Sequence, residues 1–332
     1  MTDGFGRTIE YLRVSVTDKC NLRCRYCMPP EGVSKLSHSD IMSIEEITRI
    51  CAILCDMGVR RIRLTGGEPL VRKGITDLVR DLSSLDNAPE ILMTTNGVLL
   101  SEKISALYEG GLTGVNISLD TSDREEFLKM TGYDRLPDVV NSIDAAYDTG
   151  IRVKINCVPI RGFNDGRIPE IAAFAQDRMI DVRFIELMPI GCAAGYDRFL
   201  GKEVLDMIRQ SFGLSTEDVQ PDTGEDSQNA SPTGPGVYYR IRGFCGRIGL
   251  IDPVSDSFCD KCNRIRLTST GLIKPCLYFP DTIDLKKLIR DGCSDEDIKE
   301  AFMRTVAAKP REHRFGVPDH NGDPRKMYQI GG

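Results

Sequence analysis

The chain is short of the residue that most often does acid–base work in enzymes: it has three histidines, His38, His313 and His320, in 332 residues. All three read as surface residues, and no nucleophile, base and orienting partner suggest hydrolytic chemistry. No run approaches the roughly 18 apolar residues of a membrane span, and the N-terminus carries no basic-then-apolar leader. The cytoplasm is therefore the expected location, with no membrane partner. An excess of basic residues is missing as well: the formal charge is −6. That argues against a nucleic-acid surface but leaves room for a basic pocket inside an acidic shell. Without a leader, the twelve cysteines are expected to be metal ligands more than disulfides, since cytosolic thiols stay reduced.

Six of those cysteines fall in two tight groups. The first is Cys20-x3-Cys24-x2-Cys27, the second Cys259-x2-Cys262-x13-Cys276. The other six (Cys51, Cys55, Cys157, Cys192, Cys245, Cys293) read as small buried hydrophobes. A four-iron cubane normally takes four thiolates, so three leave one iron open to bind and react. Zinc wants four ligands, and no fourth cysteine or histidine stands near the first group, His38 being the closest. For the second group a zinc ribbon short of one ligand stays open on spacing alone. Just after it, Arg264 and Arg266 flank Ile265, and residues two apart on a strand project to one face. Two always-charged forks there suit an anion such as a phosphate; the plain alternative is a solvated pair on a sheet edge.

The remaining pattern is alternation. Short β-branched runs at 12–16, 61–65, 90–94, 115–119, 152–158 and 182–187 are separated by helical stretches, the first starting at a capping box, Ser43 with Glu46. Near-continuous apolar strands joined by helices imply a covered parallel sheet. The expected fold is α/β: an incomplete (βα)6 TIM-like barrel over residues 1–195, with a smaller C-terminal α+β module at 196–332 closing the barrel mouth. In that module strands are expected at 237–242 and 264–268 and helices at 285–290 and 295–308, while 215–236 reads as a mobile loop or linker. The polar motifs fall at strand ends, where such barrels build active sites. They are the first cysteine group, Gly66-Gly67-Glu68-Pro69, Thr94-Thr95-Asn96-Gly97, Ser118 with Asp120, and Met188-Pro189. Paired glycines let backbone approach a ligand closely, or they form only a tight turn.

The first cysteine spacing, with Tyr26 before the last cysteine, resembles the signature of radical S-adenosylmethionine (SAM) enzymes. Over nearly its whole length the chain resembles the GTP 3′,8-cyclase family of molybdenum cofactor biosynthesis. The resemblance is carried by both triads, by the segments around Arg13, Arg63 to Pro69, Thr94 to Gly97, Ser118, Lys154 and Met188, by Arg264 to Arg266, and by the terminal Gly331-Gly332. It implies two 4Fe-4S clusters, one on Cys20, Cys24 and Cys27 with SAM on its open iron, the other on Cys259, Cys262 and Cys276 facing guanine. Tyr26, Gly67, Ser118 and Met188 would line the SAM site. Arg13, Arg63, Thr94, Lys154, Arg264, Ile265 and Arg266 would hold GTP. A 5′-deoxyadenosyl radical would take the ribose 3′ hydrogen, and C3′ would attack guanine C8. The Gly331-Gly332 tail would reach into the active site. A flavodoxin- or ferredoxin-type reductant and a downstream pterin-forming enzyme are implied partners, and a homodimer is compatible with it. The lack of any Gly-x4-Gly-Lys-Ser/Thr loop agrees with GTP as a substrate for something other than P-loop hydrolysis. The rivals are a two-cluster radical SAM enzyme acting on a peptide and a zinc-stabilised nucleotide-binding protein.

Overall fold

The computed structural model describes residues 1–29, 31–32, 36–222, 235–280, 283–315, 317 and 322–331. Six strands, β1 (Tyr11–Ser15), β2 (Arg61–Thr65), β3 (Glu90–Thr95), β4 (Leu112–Ser118), β5 (Arg152–Cys157) and β6 (Asp181–Ile185), lie side by side and parallel. Between them run α1 (Ile44–Asp56), α2 (Ile75–Ser83), α3 (Ile104–Glu109), α4 (Arg124–Thr131), α5 (Leu136–Asp148) and α6 (Ile168–Ala172). The strands alternate because their two faces meet different surroundings. Leu12, Val14, Ile62 and Leu64 are fully buried with Ile47, Ile50, Leu54 and Leu78 of the helices, forming the main core. The capping box of α1 is made: the Ser43 N–H donates to Glu46, and Ser43 Oγ accepts from the Glu46 N–H.

The strands of the C-terminal third continue the same sheet. After α7 (Gly201–Ser211) come β7 (Val219–Pro221), β8 (Val237–Ile241) and β9 (Arg247–Ile251), then β10 (Arg264–Leu267), β11 (Leu272–Lys274) and β12 (Ile283–Asp284), with α8 (Leu285–Arg290), α9 (Asp295–Ala307) and α10 (Met327–Ile330). One sheet holds all twelve strands in the order β12-β11-β10-β1-β2-β3-β4-β5-β6-β9-β8-β7. Parallel β10 extends the partial barrel beyond β1, and parallel β9 extends it beyond β6. The β9 run was not anticipated; Gly249 within it and Gly246 just before it disguise the strand. Part of the expected 215–236 linker is ordered, since Val219–Pro221 pairs antiparallel with β8; residues 223–234 lie outside the described residues. His313 also departs from expectation: it is half-buried, with Nε2 2.5 Å from the Pro253 carbonyl. Among the scattered cysteines Cys51, Cys55 and Cys157 are buried, whereas Cys192 and Cys293 are half-buried and Cys245 is exposed on the turn before β9. Among the described residues no helix is long and apolar enough to cross a membrane.

Buried carboxylates tie the strand-end loops together. Glu68, beyond β2, accepts from the Leu70 N–H at 3.0 Å, the Thr95 hydroxyl at 2.7 Å and the Asn96 N–H at 2.7 Å. Glu186, beyond β6, accepts the Val254 and Ser255 N–H groups at 2.8 and 2.9 Å and the Arg198 guanidinium at 2.9 Å. The backbone donors are the costly ones to orphan. Glu186→Ala is therefore expected to lower stability by about 3 kcal/mol, against under about 1 kcal/mol for Arg198→Ala, whose side chain is partly exposed. Equal losses in denaturant unfolding would show that water satisfies both N–H groups.

Candidate functional site

On the sheet face turned away from the helices, polar side chains meet in rungs set by strand register. Tyr11 stands level with Arg61 and Arg264; Arg13 stands level with Arg63 and Arg266. On the other half, Thr94, Asn116, Lys154 and Asp181 are successive partners across β3 to β6. A barrel interior is ordinarily packed with branched apolar side chains, so this polar filling marks a site.

Arg63 donates to the Tyr11 hydroxyl and, at 3.1 Å, to the Met93 carbonyl. Arg266 donates at 2.8 Å to the Gly331 carbonyl. Arg264 lies over the Phe258 ring at 5.1 Å, and its Nε has no partner. None of Arg63, Arg264 and Arg266 has a carboxylate within ion-pair distance among the described residues. Burial and the neighbouring Arg264 push the Arg266 guanidinium down to about 10, and burial with Arg266 close by drives Arg13 well below its usual value. Although burial opposes ionisation of Tyr11, the Arg63 and Arg13 charges outweigh it and bring the phenol to about 8. Thr94 Oγ1 is buried and unpartnered. Lys154, by contrast, is held by Asp181 at 2.8 Å and by the Tyr238 hydroxyl at 3.3 Å. Ile265 turns its side chain into the core, level with Leu12, which leaves only its backbone for a ligand.

The two cysteine triads lie at opposite ends of these rungs. Cys20, Cys24 and Cys27 follow the C-terminal end of β1, whereas Cys259 and Cys262 precede the N-terminal end of parallel β10. Five residues of β1 span about 16 Å. In the first triad, burial pushes the Cys20 thiol up to about 11 and the Cys27 thiol to about 12, and raises Cys24 well above its usual value, with the other cysteines and Asp120 or Glu68 adding to it. Three buried thiols that resist ionisation without a metal suit a cluster that takes the place of their protons. In the second triad, burial raises the Cys259 thiol, but at Cys262 the cations Lys309 and Arg264 outweigh burial and lower it. Among the described residues no three His, Cys, Asp or Glu side chains are grouped as for a single metal ion.

Around the first triad, the Tyr26 hydroxyl donates to Asp120 at 2.7 Å, and Asp120 also accepts the Val158 N–H. Ser118 and Met188 are both half-buried at strand ends of the same face. Gly67 packs against the chain leading to Cys20: a Cβ there would lie 2.4 Å from the Lys19 carbonyl oxygen, and its N–H donates to Thr17. The missing side chain is thus spent first on backbone contact. The tail packs at this same end of the strands. Gly331 has φ +82, and a Cβ on it would stand 2.7 Å from Ser15 Cβ and 3.0 Å from Thr65 Oγ1; Gly332 lies outside the described residues. Sequence reasoning missed Tyr11, Asp181, Arg183 and Tyr238. Arg183 donates to Asn156 Oδ1 from Nε at 2.9 Å. Their cross-sheet neighbours, Arg61 and Arg264 for Tyr11, Lys154 for Asp181 and Asn156 for Arg183, and the Tyr238 contact with Lys154 mark them, all invisible without register.

Two family models match in succession: the radical SAM superfamily over residues 14–175 and Molybdenum Cofactor Synthesis C over residues 180–315. The GTP 3′,8-cyclase of Clostridium perfringens (strain 13 / Type A) is 40% identical over 332 residues, all of both chains. That of Peptoclostridium acidaminophilum is 43% identical over 337 residues, covering 100% of this chain and 98% of the relative. Among solved structures, Streptococcus suis SuiB bound to S-adenosylmethionine superposes with a TM-score of 0.61 at 15% identity, over 86% of this chain and 65% of that one, a likeness of fold alone. The full-length matches to curated relatives, falling on a chain whose two triads bracket a buried basic site, make it a member of the GTP 3′,8-cyclase family of radical SAM enzymes.

Proposed function

We propose that the chain converts GTP to (8S)-3′,8-cyclo-7,8-dihydroguanosine 5′-triphosphate, the first step of molybdenum cofactor biosynthesis. The observation that carries this reading is the rung of Arg13, Arg63 and Arg266 between the two triads. A triphosphate supplies the anionic, multidentate partner that such forks bind best. Cys20, Cys24 and Cys27 would hold a 4Fe-4S cluster that, when bound, supplies the electron cleaving SAM to methionine and a 5′-deoxyadenosyl radical. Residues 1–195 are assigned to that half and 196–332 to the guanine end, with a second 4Fe-4S cluster on Cys259, Cys262 and Cys276.

Each of the chain's own residues then has a task. Arg13, Arg63, Arg264 and Arg266 bind and orient the triphosphate. Lys154, already oriented by Asp181, adds a further donor. Thr94 Oγ1 has no protein partner and can bond to the nucleotide. Tyr26, Gly67, Ser118 and Met188 line the SAM end, with the Tyr26 ring held in place by Asp120. Gly331, pressed against Ser15 and Thr65, closes the space between the ends and keeps water from the radical. Loss of a hydrogen atom from ribose C3′ would be followed by C3′–C8 bond formation and by uptake of one electron and one proton. The product is therefore an isomer of GTP, and the electrons come from a flavodoxin- or ferredoxin-type donor.

Anaerobically reconstituted protein incubated with SAM, GTP and dithionite should yield 5′-deoxyadenosine and a GTP isomer of unchanged mass by mass spectrometry. Release of 5′-deoxyadenosine with GTP unaltered would keep the first site and discard the substrate. Arg266→Ala should weaken GTP binding by about tenfold to a hundredfold, the range for losing hydrogen bonds to a charged group, while SAM cleavage persists. Parallel loss of both activities would assign Arg266 a structural role instead.

A further inference from the structure

Lys309 is 3% exposed and sits just past α9, where its N–H donates to the Val306 carbonyl at 3.1 Å and Pro310 ends any helical continuation. All three ammonium donors are spent at the second triad. Nζ stands 3.6 Å from Cys262 Sγ, 2.8 Å from the Arg264 carbonyl oxygen and 2.7 Å from the Pro275 carbonyl oxygen. One of these groups lies on the segment just after Cys262 and another immediately before Cys276, so a single side chain bridges the two parts of the triad. The guanidinium of Arg7 fixes the same stretch from the other side: it donates to the Cys259 carbonyl at 2.9 Å and to the Pro310 and Arg311 carbonyls at 2.6 and 2.9 Å.

Among the described residues no carboxylate pairs with Lys309, and the only partner that can carry negative charge is the Cys262 sulfur. The first triad is set differently. Cys20 Sγ accepts from the Leu22 N–H at 3.4 Å and the Asn96 amide at 3.7 Å, both neutral donors. The charged side chains acting on that end include the carboxylates of Glu68 and Asp120.

We infer that Lys309 is the built-in counter-cation of the second triad, a positioning residue that holds the Cys262 and Cys276 segments together and biases the cluster there toward its reduced state. Hydrogen bonds to cluster sulfurs and nearby charge are the protein's means of setting a cluster potential. The inference rests on the two-cluster reading of the preceding section.

The test uses the full-length chain reconstituted anaerobically with iron and sulfide, as wild type, Lys309→Met and Lys309→Gln; the glutamine keeps a donor without the charge. Iron is counted, and each cluster is titrated with dithionite under electron paramagnetic resonance, the first being identified by its spectral change on adding SAM. About eight irons are expected per wild-type chain. Both variants should show an unchanged first cluster and a second whose one-electron reduction is disfavoured about tenfold, equivalent to about 59 mV. Loss of the second cluster from Lys309→Met, with its retention at the lowered potential in Lys309→Gln, supports the same conclusion. An unshifted second potential in either variant, or loss of the second cluster from both, would falsify the electrostatic role. A wild-type count near four irons would instead remove the two-cluster reading, and this inference with it.

Discussion

Like charge confined between strands is the constraint on which the rest of this structure depends. Register places Arg13 directly between Arg63 and Arg266, with backbones one inter-strand spacing of about 5 Å apart on each side. The sheet bears this because its other face buries a continuous apolar layer against the helices. The neutral acceptors nearby, the Tyr11 hydroxyl and the Met93 and Gly331 carbonyls, soften the repulsion without cancelling it. A polyanion entering the space would relieve it.

Around that basic centre the two ends are made chemically unlike. The strand-end loops at the first triad are knotted by carboxylates: Glu68 binds the backbone of the third strand's loop, and Asp120 orients Tyr26. At the second triad the fixed groups are cations, Arg264 and Lys309 on the cysteine side and Arg7 behind. The same three-sulfur donor set thus meets carboxylates together with Arg23 at one end, and Lys309, Arg264 and an Asp3-paired Arg7 at the other. Composition cannot create that difference; it arises from which end of a parallel strand each triad adjoins.

Much of this was legible in the residues. The six parallel strands follow from apolar runs of the right length, and the start of α1 from a single Ser-x-x-Glu. The triads, Arg264 and Arg266 stood out by spacing. What stayed hidden is relational. Tyr11 and Asp181 look like ordinary strand residues until register sets them beside Arg63 and Lys154. The strand Arg247–Ile251 is short and glycine-bearing, so local pattern could not separate it from a loop; its burial against β6 decides the matter. Ile265 was grouped with its charged neighbours, although alternation along a strand sends it to the opposite face. His313 escaped because a lone polar residue in a loop gives no sign of the carbonyl waiting for it.

The placement of the last strands also governs how the chain can be assembled. The first strand has β2 as its neighbour on one side, some 50 residues away, but on the other side it waits for β10, with Tyr11 pairing Arg264. The sixth strand likewise waits for β9. A nascent or truncated chain that stops short of these segments presents two open sheet edges, the exposed templates through which chains pair wrongly and aggregate. Closing the first brings together residues more than two hundred positions apart, a contact of high sequence separation that slows folding. The last quarter of the sequence therefore acts as an assembly checkpoint: only a complete chain protects its own edges, and only that chain brings both triads to the one basic site.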